Sequence, residues 1–207
     1  MKAAFDVIAK GGLVMIPLGV CSVLALAVVL ERALAWLRLG GTTDADRVLA
    51  LAGNGEWDEA ARVAQRSRSP VARVLAAGIA HRNPAPGLAM EAAAQDELAR
   101  SRRYLPLLDT VITLAPLLGL LGTVTGMISA FGIMAQAGLN QPTAITGGVG
   151  EALVATAGGL AVAIAALVPY NFFQRKAEGL AETIERYGSR LELLIAEAKS
   201  VRREAAA

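Results

Sequence analysis

Apolar residues fall along this chain in long tracts separated by charged segments, and the lengths of those tracts decide what they are. The first, Leu13 to Leu30, is long enough to cross a bilayer at about 1.5 Å per helical residue. It closes on Glu31-Arg32, with Trp36 and Arg38 following as interface anchors. Lys2 and Lys10 ahead of the run, and Ala25-Leu26-Ala27 within it, offer a competing reading as a cleavable leader. The apolar run continues beyond that site to Leu30, which favours a retained span. Between Thr110 and Gln174 the one Asp, Glu, Lys, Arg or His is Glu151, and this tract is too long for a single span. Its polar interruption, Gln136 to Pro142, divides it. The predicted elements are a periplasmic N-terminus and first span over 1–38, a second span over 105–136, a turn over 137–142 and a third span over 143–174.

Residues 39–104 change character, becoming charged and alanine-rich, and they predict a helical loop. Asp44 to Ala52 and Glu56 to Gln65 read as short helices around Gly53-Asn54-Gly55. Ser69-Pro70 supplies an N-cap and first residue for a third helix, which Asn83 to Gly87 ends. Leu88 to Arg103 is helical again and is expected to run straight into the second span. In the charged tail, 175–207, Leu180, Ile184, Tyr187, Leu191, Leu194, Ala198 and Val201 recur at alternating spacings of four and three. That stripe suits a coiled-coil seam between subunits or a face packed on the chain's own loop. The predicted fold class is an all-α integral membrane protein with three transmembrane helices, the second and third extended into the cytoplasm, and a helical cytoplasmic loop.

Composition agrees with this class: 55% of the 207 residues are apolar, too many for an ordinary soluble domain of this size. The formal charge of +2 hides a segregation that sets orientation. Arg32 and Arg38, then Arg100, Arg102 and Arg103, then Arg175 and Lys176 flank the spans on one side. By the excess of basic residues in cytoplasmic flanks, 39–104 and 175–207 are expected in the cytoplasm, with Lys2 and Lys10 dissenting. Cys21 and His81 are too few for a disulfide framework or a metal site. Gly119 to Gly126 lacks the Gly-Lys-Ser/Thr ending of a phosphate loop, and no nucleophile has a base nearby in sequence. Neither an enzyme nor a bound cofactor is expected.

Glu151 is the residue most suggestive of chemistry, because a carboxylate within a span costs a few kcal/mol and is usually functional. If the third helix starts at Pro142, Glu151 lies roughly 13 Å along it; if it starts near Gly147 or Gly148, Glu151 is a first-turn residue complementing the helix dipole. Gly147, Ala155, Gly158 or Gly159, and Val162 are expected to share its side, and Gly119, Gly122, Gly126 and Ala130 form a similar row on the second span. Small rows let helices approach closely, and these are expected to join spans of adjacent subunits. Packing explains the rows but not a carboxylate in one of them. Thr123 and Thr156 are the nearest candidate polar neighbours, although Thr156 lies about 140° round the helix from Glu151. They face a neighbouring helix or, as periodicity alone favours, each hydroxyl bonds its own backbone one turn back. Asp109, close after Arg102 and Arg103, reads as an interfacial carboxylate.

The run Ala115-Pro116-Leu117-Leu118-Gly119-Leu120-Leu121-Gly122-Thr123-Val124-Thr125-Gly126-Met127, followed by Gly150-Glu151-Ala152-Leu153-Val154-Ala155-Thr156-Ala157, closely resembles the two signature spans of the MotA/TolQ/ExbB proton channel family. Leu30-Glu31-Arg32 and the large loop before the second span look like its ExbB and TolQ branch. The resemblance implies that Glu151 is the membrane glutamate and that Thr123 and Thr156 line the ion path. It implies a multi-pass protein of the bacterial inner membrane, a pentamer around a dimer of ExbD- or TolR-like single-span partners, each bringing an essential aspartate, and a TonB- or TolA-like protein that transmits the work. A structural scaffold, with Glu151 fixing assembly, is the competing class. A solute transporter is disfavoured, since three spans show no internal repeat.

Overall fold

The computed structural model describes residues 12–137 and 142–204, with side chains over 12–135 and 146–200, so the expected turn lies largely outside the described residues. Seven helices occupy the described residues: α1 (Met15–Arg38), α2 (Thr43–Gly53), α3 (Trp57–Arg66), α4 (Pro70–Ala80), α5 (Pro86–Ser101), α6 (Leu105–Ala137) and α7 (Pro142–Glu204). Three of them, α1, α6 and α7, are long and apolar enough to cross a membrane. With 33 and 63 residues, α6 and α7 run for about 50 and 95 Å, well beyond a hydrocarbon layer of about 30 Å.

The chain divides into two units. One, Met1–Arg32 with Tyr104–Phe172, holds the three apolar stretches. Its buried core is thin, with Leu18 of α1, Ala115 of α6 and Ala163 of α7 flanked by Val14, Met15, Leu118 and Val162. Large apolar side chains such as Val23, Leu117, Ile128, Phe131, Ile164 and Val168 point outward. An exposed apolar surface of this kind belongs against lipid or other subunits, and the helices satisfy their own backbone groups, as hydrocarbon requires.

The other unit, Ala33–Arg103 with Phe173–Ala207, has a conventional core. Val48 of α2, Val74, Leu75 and Ile79 of α4 and Met90 of α5 pack with Ile184, Tyr187, Leu191 and Ile195 of α7. This decides between the two readings of the tail stripe for most of its length: Ile184, Tyr187 and Leu191 bury against the chain's own loop helices, with Leu180 and Leu194 packed beside them. The Val201 side chain lies outside the described residues. Two polar links tie the unit together. Tyr187 Oη donates to Asp46 Oδ1 at 2.6 Å, and the Arg73 guanidinium donates Nε to Glu97 Oε1 at 2.9 Å and Nη2 to Oε2 at 2.5 Å.

One expectation is corrected here and another is refined. The fourth loop helix does not run straight into the second span: α5 stops at Ser101, and Tyr104, with φ 65°, interrupts the helix before Leu105. A left-handed conformation at a non-glycine residue is uncommon and breaks a helix. Arg32, only 4% exposed, has its guanidinium 5.8 Å from the Tyr104 ring centroid, a cation–π pairing at this break. Ser69 occupies the N-cap position of α4, yet its hydroxyl makes no capping hydrogen bond. Its backbone N–H instead donates to Ser67 Oγ at 3.0 Å, and Ser67 Oγ donates to Asp44 Oδ2 at 2.5 Å.

Candidate functional site

Small residues of the second and third apolar helices meet one another within the single chain, where their spacing suggests a contact between adjacent subunits. A Cβ added at Gly119 would lie 3.0 Å from the Ala155 carbonyl oxygen and 3.1 Å from Thr156 Cα. At Gly126 it would lie 3.0 Å from Ala152 Cβ and 3.0 Å from the Gly148 carbonyl oxygen. A Cβ on Gly122 would overlap Ala155 Cβ, and one on Gly159 would overlap the Ala115 carbonyl oxygen. Glycine is required at these crossings because α6 and α7 approach with backbone against backbone. Gly158 faces elsewhere, toward the Met15 side chain of α1, with 3.4 Å to its Cε. A Cβ built on Gly147 would have nothing within 4 Å outside its own helix backbone among the described residues.

The close approach positions Thr156. Its Oγ1 donates to the Gly119 carbonyl oxygen at 3.0 Å, bridging α7 to α6, where the periodicity had suggested a bond to its own helix. Gly119 makes the bridge feasible, since any side chain there would push the helices apart. Thr123 behaves as its periodicity suggested, with Oγ1 donating to Leu120 O at 2.7 Å on its own helix. Both hydroxyls therefore go to carbonyl groups and not to Glu151.

Because α7 starts at Pro142, Glu151 stands about 14 Å from the helix start, well past the first turn. That excludes the reading of Glu151 as a dipole-complementing cap. Ala152, Ala155 and Gly159 turn inward, while Glu151 is exposed on the single chain, at the edge of the packed α6–α7 pair. The arrangement leaves one titratable group on an otherwise apolar surface, open to whatever covers that surface.

A residue absent from the sequence-derived site touches Glu151. Gly12, immediately before α1, has φ +70°, and a Cβ built on it would overlap the Glu151 carboxylate, with Oε1 and then Cδ, at 2.9 Å, as its nearest atoms. Met15 N donates to Gly12 O at 3.1 Å, closing a turn beside the carboxylate. Val14 in the same turn faces Gly122, with its Cβ 3.6 Å from a Cβ built there. The Gly11-Gly12 pair ahead of the first apolar run was the available signal, but it marks a turn without saying what the turn covers. Gly12→Ala should displace this turn from the Glu151 carboxylate, since a left-handed alanine costs about 1–2 kcal/mol, a roughly 5- to 30-fold change in population. The rate of Glu151 modification by a lipid-soluble carbodiimide, followed by mass spectrometry, checks this: it should rise in Gly12→Ala, and an unchanged rate would deny the turn any hold on the carboxylate.

Residues 66–186 match the MotA/TolQ/ExbB proton channel family. The chain is 40% identical over 200 residues to a Synechocystis protein named ExbB-like 1, a match covering 93% of this chain and 79% of that relative. Over shorter stretches it is 45% identical across 71 residues to the biopolymer transport protein ExbB of Neisseria gonorrhoeae, covering 34% of this chain and 32% of the relative. It is also 42% identical across 85 residues to the Tol-Pal system protein TolQ of Haemophilus influenzae, covering 40% and 36%. With more than half of its length matched by the family, and a relative aligned along nearly all of it, this three-span membrane protein belongs to the MotA/TolQ/ExbB proton channel family.

Proposed function

We propose that the chain forms the ring of a proton-driven motor in the bacterial inner membrane and that Glu151 is its proton carrier. The observation that supports this best is the placing of Glu151: one carboxyl group about 14 Å into a helix whose apolar stretch has no other Asp, Glu, Lys, Arg or His, exposed at the edge of a tightly packed helix pair. A carboxylate takes up a proton on one side and releases it on the other if the surface that covers it changes. Each proton crossing the membrane potential releases about 2.3 kcal/mol per 100 mV, and the pH gradient adds to this.

In this reading five copies surround a dimer of ExbD- or TolR-like single-span partners, whose aspartates exchange protons with the Glu151 ring. Relative rotation of ring and partner then energises a TonB- or TolA-like protein for outer-membrane transport or envelope maintenance. Thr156 keeps α6 and α7 in register beside the path, and Thr123 supplies a hydroxyl that can turn from its own carbonyl to water. The Gly119, Gly122, Gly126 and Gly159 crossings keep each subunit's wall rigid while the lumen changes.

The basic flanks support an orientation with the loop 39–104 and the tail 175–207 in the cytoplasm. Cysteine variants at Asn140, Ser67 and Ser200, in a background with Cys21 replaced, test it with a membrane-impermeant maleimide on sealed cells. The Asn140 variant should label from outside and the other two only after lysis. Labelling at Ser67 in intact cells would reverse the orientation.

A further inference from the structure

The end of α1, the start of α4 and the part of α7 just past its apolar stretch line an open cavity of about 330 Å³, wholly within the second unit. Its size falls at the small end of ligand sites, about 300–1,000 Å³. Trp36, Thr42, Ser69, Arg175, Lys176 and Thr183 are among its lining residues, and none of the lining residues is acidic.

Two of these residues carry donors that the chain does not use. Trp36 Nε1 and Ser69 Oγ are both buried and have no hydrogen-bond partner. Ser69 is 1% exposed. Buried polar groups are nearly always matched, so two orphans in the lining of one cavity indicate an acceptor from outside the chain. Ser69 also stands at the N-cap of the 11-residue α4 without capping it, which leaves the positive end of that helix directed at the same place. The chemistry of the set is one-sided. An indole N–H, a guanidinium and an ammonium group donate and never accept, and both basic residues add positive charge. The complementary ligand is therefore an anion with several acceptor oxygens, for which guanidinium and helix N-termini are well suited.

Location narrows the source. Trp36 follows the first apolar tract by six residues and Arg175-Lys176 directly follow the third, so the cavity opens where two spans meet the headgroup layer. Basic pockets at that depth hold anionic lipid headgroups. We infer that this cavity binds the phosphate of an anionic phospholipid through Arg175, Lys176, Ser69 and Trp36. The lipid would tie the loop helices to the membrane surface beside α1 and α7. The inference needs only the membrane reading and not the proton role of Glu151.

Native mass spectrometry of the delipidated oligomer, incubated either with phosphatidylglycerol or with inorganic phosphate, tests it. The wild type should retain one phosphatidylglycerol per protomer. Arg175→Gln and Ser69→Ala should each weaken retention about tenfold, the loss expected for one charge-assisted or buried hydrogen bond, while Arg82→Gln, distant from these residues, should not. Ser69→Ala removes a buried orphan donor and so leaves the fold intact, which keeps the test open if the arginine variant assembles poorly. Saturable binding of inorganic phosphate with no lipid retained would overturn the lipid as source. Equal lipid retention in wild type and both variants, or binding of neither probe, would overturn the site itself.

Discussion

Replacing Glu151 by glutamine should reduce energised function to the level of cells lacking the protein, while the oligomer forms in normal amounts. Glutamine has nearly the same shape and keeps hydrogen-bonding capacity, but it cannot release a proton, so the substitution separates charge from packing. The fold of the single chain should be preserved, because Glu151 is exposed on it, while Ala152, Ala155 and Gly159 face α6. Glu151→Asp withdraws the carboxyl by one methylene and should retain partial activity only if the partner's proton path spans the gap. Thr123→Val and Thr156→Val should be milder. Of the two, Thr156→Val also loses the bond to Gly119 and should cost about 1 kcal/mol of stability. An uptake or envelope-integrity assay, paired with purification of the complex and its single-span partner, distinguishes these outcomes. Normal activity in Glu151→Gln at normal expression would leave the scaffold reading as the better one.

The second large effect is expected at Gly159. The three atoms nearest to a Cβ there are all backbone: the Ala115 carbonyl oxygen, then Gly119 Cα at 3.0 Å and Gly119 N at 3.2 Å. Backbone cannot rotate away as a side chain can, so α6 and α7 must separate. Gly159→Ala should destabilise by at least the about 1–3 kcal/mol usual for overfilled cores, and the Thr156–Gly119 bridge should be lost with it. Gly147 provides the contrast, since nothing lies within 4 Å of its added Cβ. Gly147→Ala should be neutral or slightly stabilising, by up to about 1 kcal/mol from helix propensity. Thermal unfolding of the two purified variants in detergent measures the difference. Equal melting temperatures would mean that the glycine crossing is not what holds the pair.

Much of this architecture could be read from the chain because it is written locally. Three apolar tracts and one lone glutamate need no tertiary information, and the loop helices announce themselves through Gly53-Asn54-Gly55, Ser69-Pro70 and Asn83-Pro84. The stripe from Leu180 to Leu194 was equally plain, but periodicity shows that a face is buried without naming its cover, and the loop helices turned out to be that cover. The same gap explains the glycine rows, whose partner lies in the same subunit. Periodicity does not choose between the two readings of Thr156 for a related reason: its bond to Gly119, 37 residues away in sequence, depends on the register between α6 and α7. Tyr104 was missed because Arg102-Arg103-Tyr104 contains neither glycine nor proline, and its left-handed conformation is a tertiary effect next to Arg32. Gly12 is legible as a turn, but only the fold brings it to Glu151.

Proton flux through the reconstituted complex tests the central claim most directly. The chain is co-purified with its single-span partner, sealed into vesicles carrying an internal pH dye, and exposed to an imposed potassium diffusion potential. The wild-type complex should acidify the lumen at a rate that rises with the potential, and the Glu151→Gln complex, assembled to the same oligomer, should stay at the rate of empty vesicles. Equal flux through wild type and Glu151→Gln would contradict the assignment of Glu151 as the proton carrier.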